Sequence, residues 1–588
     1  MRDLHDVARR LDRVDGGALA SRSASRIYRV GDHELFTVMD LDSTGVFTIT
    51  AELQAIGEHI YLWVQDDLAT LPNDVQQAVE FFDEHIYPTD HYYFGWEPNP
   101  GLDEDPRIHV LCADLSGASG YFYSANQYLR AVNPYSNERE MLYINIQGRS
   151  PGSDAFNATL AHEFQHLIHW AQDANEDAWV NEGCSELAIQ LNGLPTSGHE
   201  REFARQSDTQ LNAWGTVEST ALPHYGASYL FMRYFARRFG PDAIRLLVAR
   251  PENGIAGFNA VLSELGTGLI FEDVFADWVI ANWLDDATLA NGAYGYGEPL
   301  GITLEPSAVI RDYPNEGTGT VHQYAADYIV LQGITSPLEI EFQGQTTAKL
   351  IPTEAPSGRY LWWSNRGDAI DSTLTRAFDL TSLTTATLEF SMWYDIEAGW
   401  DYAYVEVSTD GGNRWNVLTG THTTMWNPVG NSFGPGYTGT SGRDFDAWDK
   451  PASARWVQER IDLTPYAGKQ VLIRFEYITD DQVNGHGFCL DDIRIPELGY
   501  RDDVEDENSD WIAQGFMRTD NTVPQRYLVQ VVIPGLKMPV QRVWAENGLA
   551  HLALEGPESS VQEAVLVISA LAPFTVESAP YCYSVQRR

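Results

Sequence analysis

Residues 158–170 read ATLAHEFQHLIHW. Leu160, Phe164, Leu167 and Ile168 recur at the three-to-four spacing of a helix that buries one face. His162, Glu163, His166 and His169 interrupt that apolar pattern with groups a core does not need. On a helix, positions four apart lie about 40° apart on one side, so the imidazoles of His162 and His166 can converge on one ion. With Glu163 beside the first, the stretch has the form His-Glu-x-x-His. In that arrangement two His bind zinc and the Glu takes a proton from metal-bound water. The bland reading of the same five residues is two core-edge His satisfied by backbone partners.

A catalytic zinc takes a third protein ligand and keeps a fourth position for water. His169 continues the same helix but lies ~4.5 Å further along its axis than His166, which makes convergence with both others awkward. A metzincin continuation needs glycine where His169 stands and histidine where Gln172 stands, so that pattern fails. Glu182, in DAWVNEGCSELA (177–188), meets the need best. Asn181-Glu182 reads as the opening of a second amphipathic helix. Glu186, one turn later on the same face, is either a solvated charge or the acceptor of a ligating histidine's free ring N–H, fixing its tautomer.

Outward from this helix the chain changes grammar near residue 296. Helical patterns dominate before it: DVQQAVEFFDEHI from Asp74, ASYLFMRYFARRF closed by Gly240-Pro241, and FEDVFADWVIANWL from Phe271. Short strands such as RIHVLCADL and EMLYINI intervene. After Gly297 nearly every segment alternates or is rich in Val, Tyr, Thr and Trp, as in TATLEFSMWYDI, YAYVEVSTDGGNRW and KQVLIRFEYITD. The Asp-Gly at 410–411 supplies a hairpin turn. PNEGTGT near Pro314 and ELGYRDDVEDENSD near Glu497 read as joints. The expected division is an N-terminal segment 1–29, a core 30–296, a short β linker domain 297–345, a β-sandwich 346–498 and a C-terminal β domain 499–588.

At 588 residues several domains are expected, and 44% hydrophobic content is that of a globular protein. Thirty-eight basic against 83 acidic residues give a formal charge of −45, which repels phosphate backbones and anionic headgroups, so neither nucleic acid nor membrane surface is expected as a partner. No stretch has the continuous apolar length of a membrane span. Residues 1–16, MRDLHDVARRLDRVDG, are charged where a signal peptide is apolar. Cys112, Cys184, Cys489 and Cys582 are too few and too scattered for a disulfide framework or a cysteine zinc site, and read as buried thiols. One or two disulfides are open to them in an exported chain.

HEFQH followed by WVNEGCSE resembles the gluzincin metallopeptidases, and the HEFQHLIHW wording within that clan is most similar to the hyicolysin family. The resemblance covers roughly 30–295 and implies a core of mixed sheet plus helices. It departs in the short segment separating His166 from Glu182. WYDIEAGWDYAYVEVSTDGGNRW, LTPYAGKQVLIRFEYITDD and GFCLDDIRIP are similar to the MAM-like jelly-roll domain of the immune inhibitor A peptidases, over roughly 346–498. The fold class that follows is multidomain α+β, a gluzincin-like core ahead of all-β domains.

The resemblance implies a secreted or cell-surface zinc endopeptidase, monomeric, acting on proteins or peptides, with zinc on His162, His166 and Glu182 and Glu163 as general base. For the oxyanion donor, LPHYGASY (222–229) offers two residues. Aminopeptidase-type gluzincins favour Tyr225 and thermolysin-like ones His224, while Tyr229 reads as core. SGASGYFYSANQY (116–128) reads either as the sheet edge or rim for an extended substrate or as an ordinary glycine loop. Glu138 and Glu140 are the groups able to anchor a free amine. Calcium is implied as a second metal by Glu397, Asp401, Asp491 and Asp492, which resemble positions around the calcium site of MAM-like domains, with LDEDP at Leu102 a weaker place of the same kind. A rival class is an inactive or non-peptidase adhesin that binds sugar or protein through its β-sandwich. Retention of Glu163 and every ligand argues against it. A chain ended near Pro337 is expected to keep its activity on short peptides.

Overall fold

A computed structural model describes residues 2–11, 26–214, 218–443, 453–536, 539–554 and 563–588. The chain is multidomain, with helices concentrated before residue 296 and sheets after it. Part of the expected N-terminal segment, 12–25, lies outside the described residues. Two compact units are formed, one from 1–177, 188–195 and 354–520, the other from 178–187, 196–353 and 521–588.

In the first unit α1 (Leu4–Arg10) precedes a six-stranded sheet. Its strands are β1 (His33–Asp40), β2 (Gly45–Ile56), β3 (Ile60–Gln65), β4 (Ile108–Ala113), β5 (Gly120–Phe122) and β6 (Met141–Asn145), in the order β1-β2-β3-β4-β6-β5. β3, β4 and β6 are parallel, and β5 returns antiparallel along β6 as the edge. Every residue of β4 is buried, which explains why the strand is apolar apart from His109. The helix expected from Asp74 is α2 (Pro72–Phe81), continued through a π-helical turn at Phe82–Ile86 into α3 (Tyr87–Phe94). α4 (Asp154–Gln172) is capped by the Ser153 hydroxyl, which accepts from Phe156 N. α5 (Ala178–Leu191), whose residues 178–187 belong to the second unit, begins three residues ahead of the expected Asn181.

The same unit holds a sandwich. One sheet runs Val457–Asp462, Thr387–Asp395, Gly487–Ile495, Leu361–Trp363, Met517–Thr519; the other runs Asn416–Val417, Tyr402–Ser408, Gln470–Ile478, Asp371–Asp379, Ile512–Gln514. Leu388, Phe390 and Met392 of the first share a core with Val405, Ile473 and Phe475 of the second. The hairpin at Asp410-Gly411 joins Tyr402–Ser408 to Asn416–Val417. Val7 of α1 packs on Tyr402, Tyr404 and Ile478. Arg10, 5% exposed, pairs with Glu476 and stands 3.3 Å from Asp371 and 3.5 Å from Glu406.

The second unit contains α6 (His199–Arg205), α7 (Glu218–Phe239), α8 (Pro241–Val248), α9 (Gly254–Glu264) and α10 (Phe271–Leu284). Its sandwich corrects the expected division. Asp327–Gln332 pairs with Glu563–Ala570, and Leu338–Gly344 with Ala579–Arg587, so the segments 297–345 and 499–588 are not separate domains. The supposed joint near Pro314 is the strand Asn315–Val321. Its glycines misled because they look like loop composition. A Cβ at Gly317 would stand 2.3 Å from the Tyr583 ring, and one at Gly319 would be 2.5 Å from the Tyr581 hydroxyl, so both positions are bare to admit an aromatic. Near Glu497, Tyr500–Asp502 pairs with the inner sandwich, which ends at about 520 rather than 498. A chain ended near Pro337 leaves Asp327–Gln332 without its buried partner strand, so the fragment expectation is withdrawn. All four cysteines are free. Among the described residues no helix is long and apolar enough to cross a membrane.

Candidate metal centre and active site

α4 is held by its apolar side: Phe156, Leu160, Phe164, Leu167 and Ile168 are fully buried, and the Phe164 ring meets Phe82 at 5.1 Å and Tyr87 at 5.8 Å. One turn of helix brings the rings of His162 and His166 to 4.8 Å in a T-shaped pair, with their Nε2 atoms 3.1 Å apart. One ligand atom from each of His162, His166 and Glu182 lies within 4.8 Å of the others, with His166 and Glu182 buried. Two nitrogens bound tetrahedrally to zinc at ~2.05 Å are about 3.3 Å apart, so the imidazole pair fits that ion. His169 is not in this group. It is fully buried, with Nδ1 3.3 Å from Gln165 Nε2.

Glu163 is 5% exposed and lies on α4 next to the edge strand. A Cβ at Gly120 of β5 would stand 2.6 Å from Thr159 Cγ2 and 3.3 Å from Glu163 Cγ. Only glycine lets this strand lie so close to α4 at Thr159 and Glu163. The sequence marked this stretch as an edge or a glycine loop, but not that Gly120 sits on the general-base candidate.

Within the second unit, α7 begins at Glu218, well ahead of the expected start, with Pro223 inside it. His224 Nδ1 lies 3.0 Å from the Gln210 carbonyl, so that nitrogen carries the proton, and burial pushes the ring down to about 4. His224 is thus neutral and committed to loop backbone. The Tyr225 ring lies 5.0 Å from that of His199 and 4.7 Å from that of Trp214. Glu186, 3% exposed, accepts from Ser197 Oγ at 3.0 Å and stands 3.5 Å from His199 Nδ1. Sequence reasoning missed His199. Tyr229 is core at 1% exposure. Glu138 accepts from Arg130 N, and Glu140 from Leu102 N. In the LDEDP stretch Asp103 pairs with His109 and Asp105 accepts from Tyr61, so these acids serve the local fold.

A second group forms in the inner sandwich, where ligand atoms of Glu397, Asp401 and Asp480 lie within 4.8 Å of one another. Asp401 accepts from Asp480 N at 2.9 Å and from the Tyr477 hydroxyl at 3.1 Å. Burial holds the Asp401 carboxyl near 8, and burial together with neighbouring acids raises Glu397 and Asp480 well above the carboxylate range. Asp491 and Asp492 lie elsewhere. Asp491 faces Ser391 while Gly487 faces Asp395, so Asp491 is about 13 Å back along the ladder from the end where Glu397 stands. Asp491 accepts from Ser357, and Asp492 pairs with Arg494 and Arg501.

Residues 338–521 match the family model described as Immune inhibitor A-like, MAM domain. The inner sandwich is a MAM-like domain. The pre-pro-metalloprotease PrtV of Vibrio cholerae serotype O1 is similar to this chain at 29% identity over 163 residues, 27% of this chain and 16% of that protein. Immune inhibitor A of Bacillus thuringiensis subsp. alesti is 29% identical over 162 residues, 27% of this chain and 21% of that protein. The chain thus spans 16–21% of the length of the relatives it matches. The Glu397 group lies inside the MAM-like domain, and α4 lies outside the matched residues.

Proposed function

We propose that the chain is a zinc metalloendopeptidase built on a gluzincin-like core, with zinc held by His162, His166 and Glu182. The observation that carries this is the convergence of two imidazoles and a buried carboxylate beside a buried Glu163. Zinc, when bound, supplies Lewis acidity and lowers the pKa of a water. Glu163 takes that water's proton and hands it to the leaving amine. The free edge of β5 adds an extended substrate as a further strand, which orients the scissile bond beside Glu163. Tyr225 donates its hydroxyl to the developing oxyanion. His224, neutral and bound to the Gln210 carbonyl, is the weaker choice. Relatives named as a metalloprotease and as immune inhibitor A support the same class.

The Glu397, Asp401 and Asp480 carboxylates take calcium within a jelly-roll sandwich. An all-oxygen set of acids suits a hard cation, and a cation at that point relieves their mutual repulsion. The reaction then belongs outside the cell, in line with relatives named PrtV and Immune inhibitor A. The test is zinc content and casein cleavage on the wild type and Glu163→Gln together. The variant should keep its zinc and lose activity about 10²- to 10⁴-fold. Turnover close to wild type in a zinc-loaded variant would end the proposal.

A further inference from the structure

Two glycines set the spacing of three helices in the second unit. A Cβ at Gly183, next to Glu182 on α5, would stand 2.9 Å from Ser228 O and 2.6 Å from Met232 Cγ on α7. A Cβ at Gly226, next to Tyr225, would stand 2.2 Å from the backbone oxygen of His199 on α6. Both contacts demand a bare Cα, so α7 presses on α5 beside one functional residue and on α6 beside another. Between these points runs a line of side chains. Glu186, braced by Ser197, stands 3.5 Å from His199 Nδ1, and the imidazole lies 5.0 Å from the Tyr225 ring, tilted by 38°. Trp214 stands edge-on to Tyr225, at 78°.

A phenol beside two rings has little freedom to turn, and one of those rings has a buried carboxylate 3.5 Å from its Nδ1. We propose that His199 is a positioning residue for peptide hydrolysis. Oriented by Glu186, it fixes the Tyr225 ring in the pose from which the hydroxyl meets the oxyanion. This rests on the peptidase reading and on the part Tyr225 has in it. The role is one of geometry, so it shows in turnover and not in substrate affinity or metal retention.

The experiment is a double-mutant cycle on the full-length, zinc-loaded chain, with kcat and KM measured on a quenched peptide and zinc content read alongside. His199→Ala should lower kcat about 10- to 30-fold with KM within about twofold and zinc unchanged. His199→Gln, which keeps a donor for Glu186 and a flat face for Tyr225, should recover at least a third of wild-type kcat, and it carries the test if the alanine variant does not fold. In a Tyr225→Phe background, His199→Ala should cost less than about twofold more, because the group it positions is gone. Independent multiplication of the two losses, or unchanged kcat in both His199 variants of an active enzyme, would overturn the positioning role alone. A zinc-loaded wild type that cleaves no peptide would instead overturn the peptidase reading beneath it.

Discussion

The group on α4 and α5 and the group in the MAM-like domain are each three side chains around one point, yet the chain assembles them by different rules. His162 and His166 are one helical turn apart and Glu182 is on the next helix, so the whole set falls within a short window of sequence. Glu397, Asp401 and Asp480 meet because Tyr402 pairs with Ile478, which carries Asp480 back to Asp401 across 79 positions. A helix writes its faces into local spacing, while a sheet writes them into register, which no single stretch displays. The chemistry differs in parallel. Two imidazoles and a carboxylate suit a borderline metal, and three carboxylates suit a hard one.

The sharpest way to break that comparison is to remove one member of the helical group. Glu182→Ala should lose zinc affinity by more than ~100-fold, since even outer partners of a ligand cost 10- to 100-fold, whereas His169→Ala should stay near full occupancy. Metal analysis giving the reverse would move the third ligand to His169. In the MAM-like domain, Asp480→Asn should abolish stabilisation by calcium and Asp491→Asn should leave it intact. At calcium a hundred times its Kd that stabilisation is about 2.7 kcal/mol, or roughly 5–10 °C in the unfolding midpoint of a domain this size. Equal sensitivity of the two variants in a melt with and without calcium would undo the assignment.

The smallest effect concerns the acids around Arg10. Burial and the Glu476 charge raise Asp371 to about 8, while burial and the Glu406 charge raise Glu476 to about 7. Both exceed unfolded values near ~4. The folded chain therefore binds more protons than the unfolded one from about pH 4 to 8, and the stability these groups contribute at the acid end is lost as pH rises through about 7–8. Unfolding midpoints should fall across that window, and Asp371→Asn should flatten the fall by a degree or two. A slope unchanged by the substitution would place its origin elsewhere.

Where a feature is local, the sequence was sufficient. α10 spans the FEDVFADWVIANWL stretch read from Phe271, and His162, Glu163 and His166 stood out from thirteen residues. Where partners are distant, it was not. Asp480 and His199 carried no mark because their meaning comes from Asp401 and Tyr225 on other elements. Asp491 and Asp492 drew attention through the resemblance of their segment to a MAM-like calcium site, but strand register sets them apart from Glu397 and Asp401. Gly317 and Gly319 looked like a loop because the Tyr583 and Tyr581 rings they accommodate arrive from the far end of the chain.

That last pairing bears on synthesis. Leu338–Gly344 lies between Leu549–Leu554 and Ala579–Arg587, the second of them at the far end of the chain. At ~5–20 residues per second the ribosome needs roughly 12–50 s to make the about 250 residues that separate it from the second. During that interval the MAM-like strands, complete in themselves, can close first, while Asp327–Gln332 and Leu338–Gly344 wait with open edges. The nascent chain is thus most exposed to aggregation while the sandwich of the second unit is half made, and a chaperone that shields unpaired strands has the most to do before the last thirty or so residues emerge.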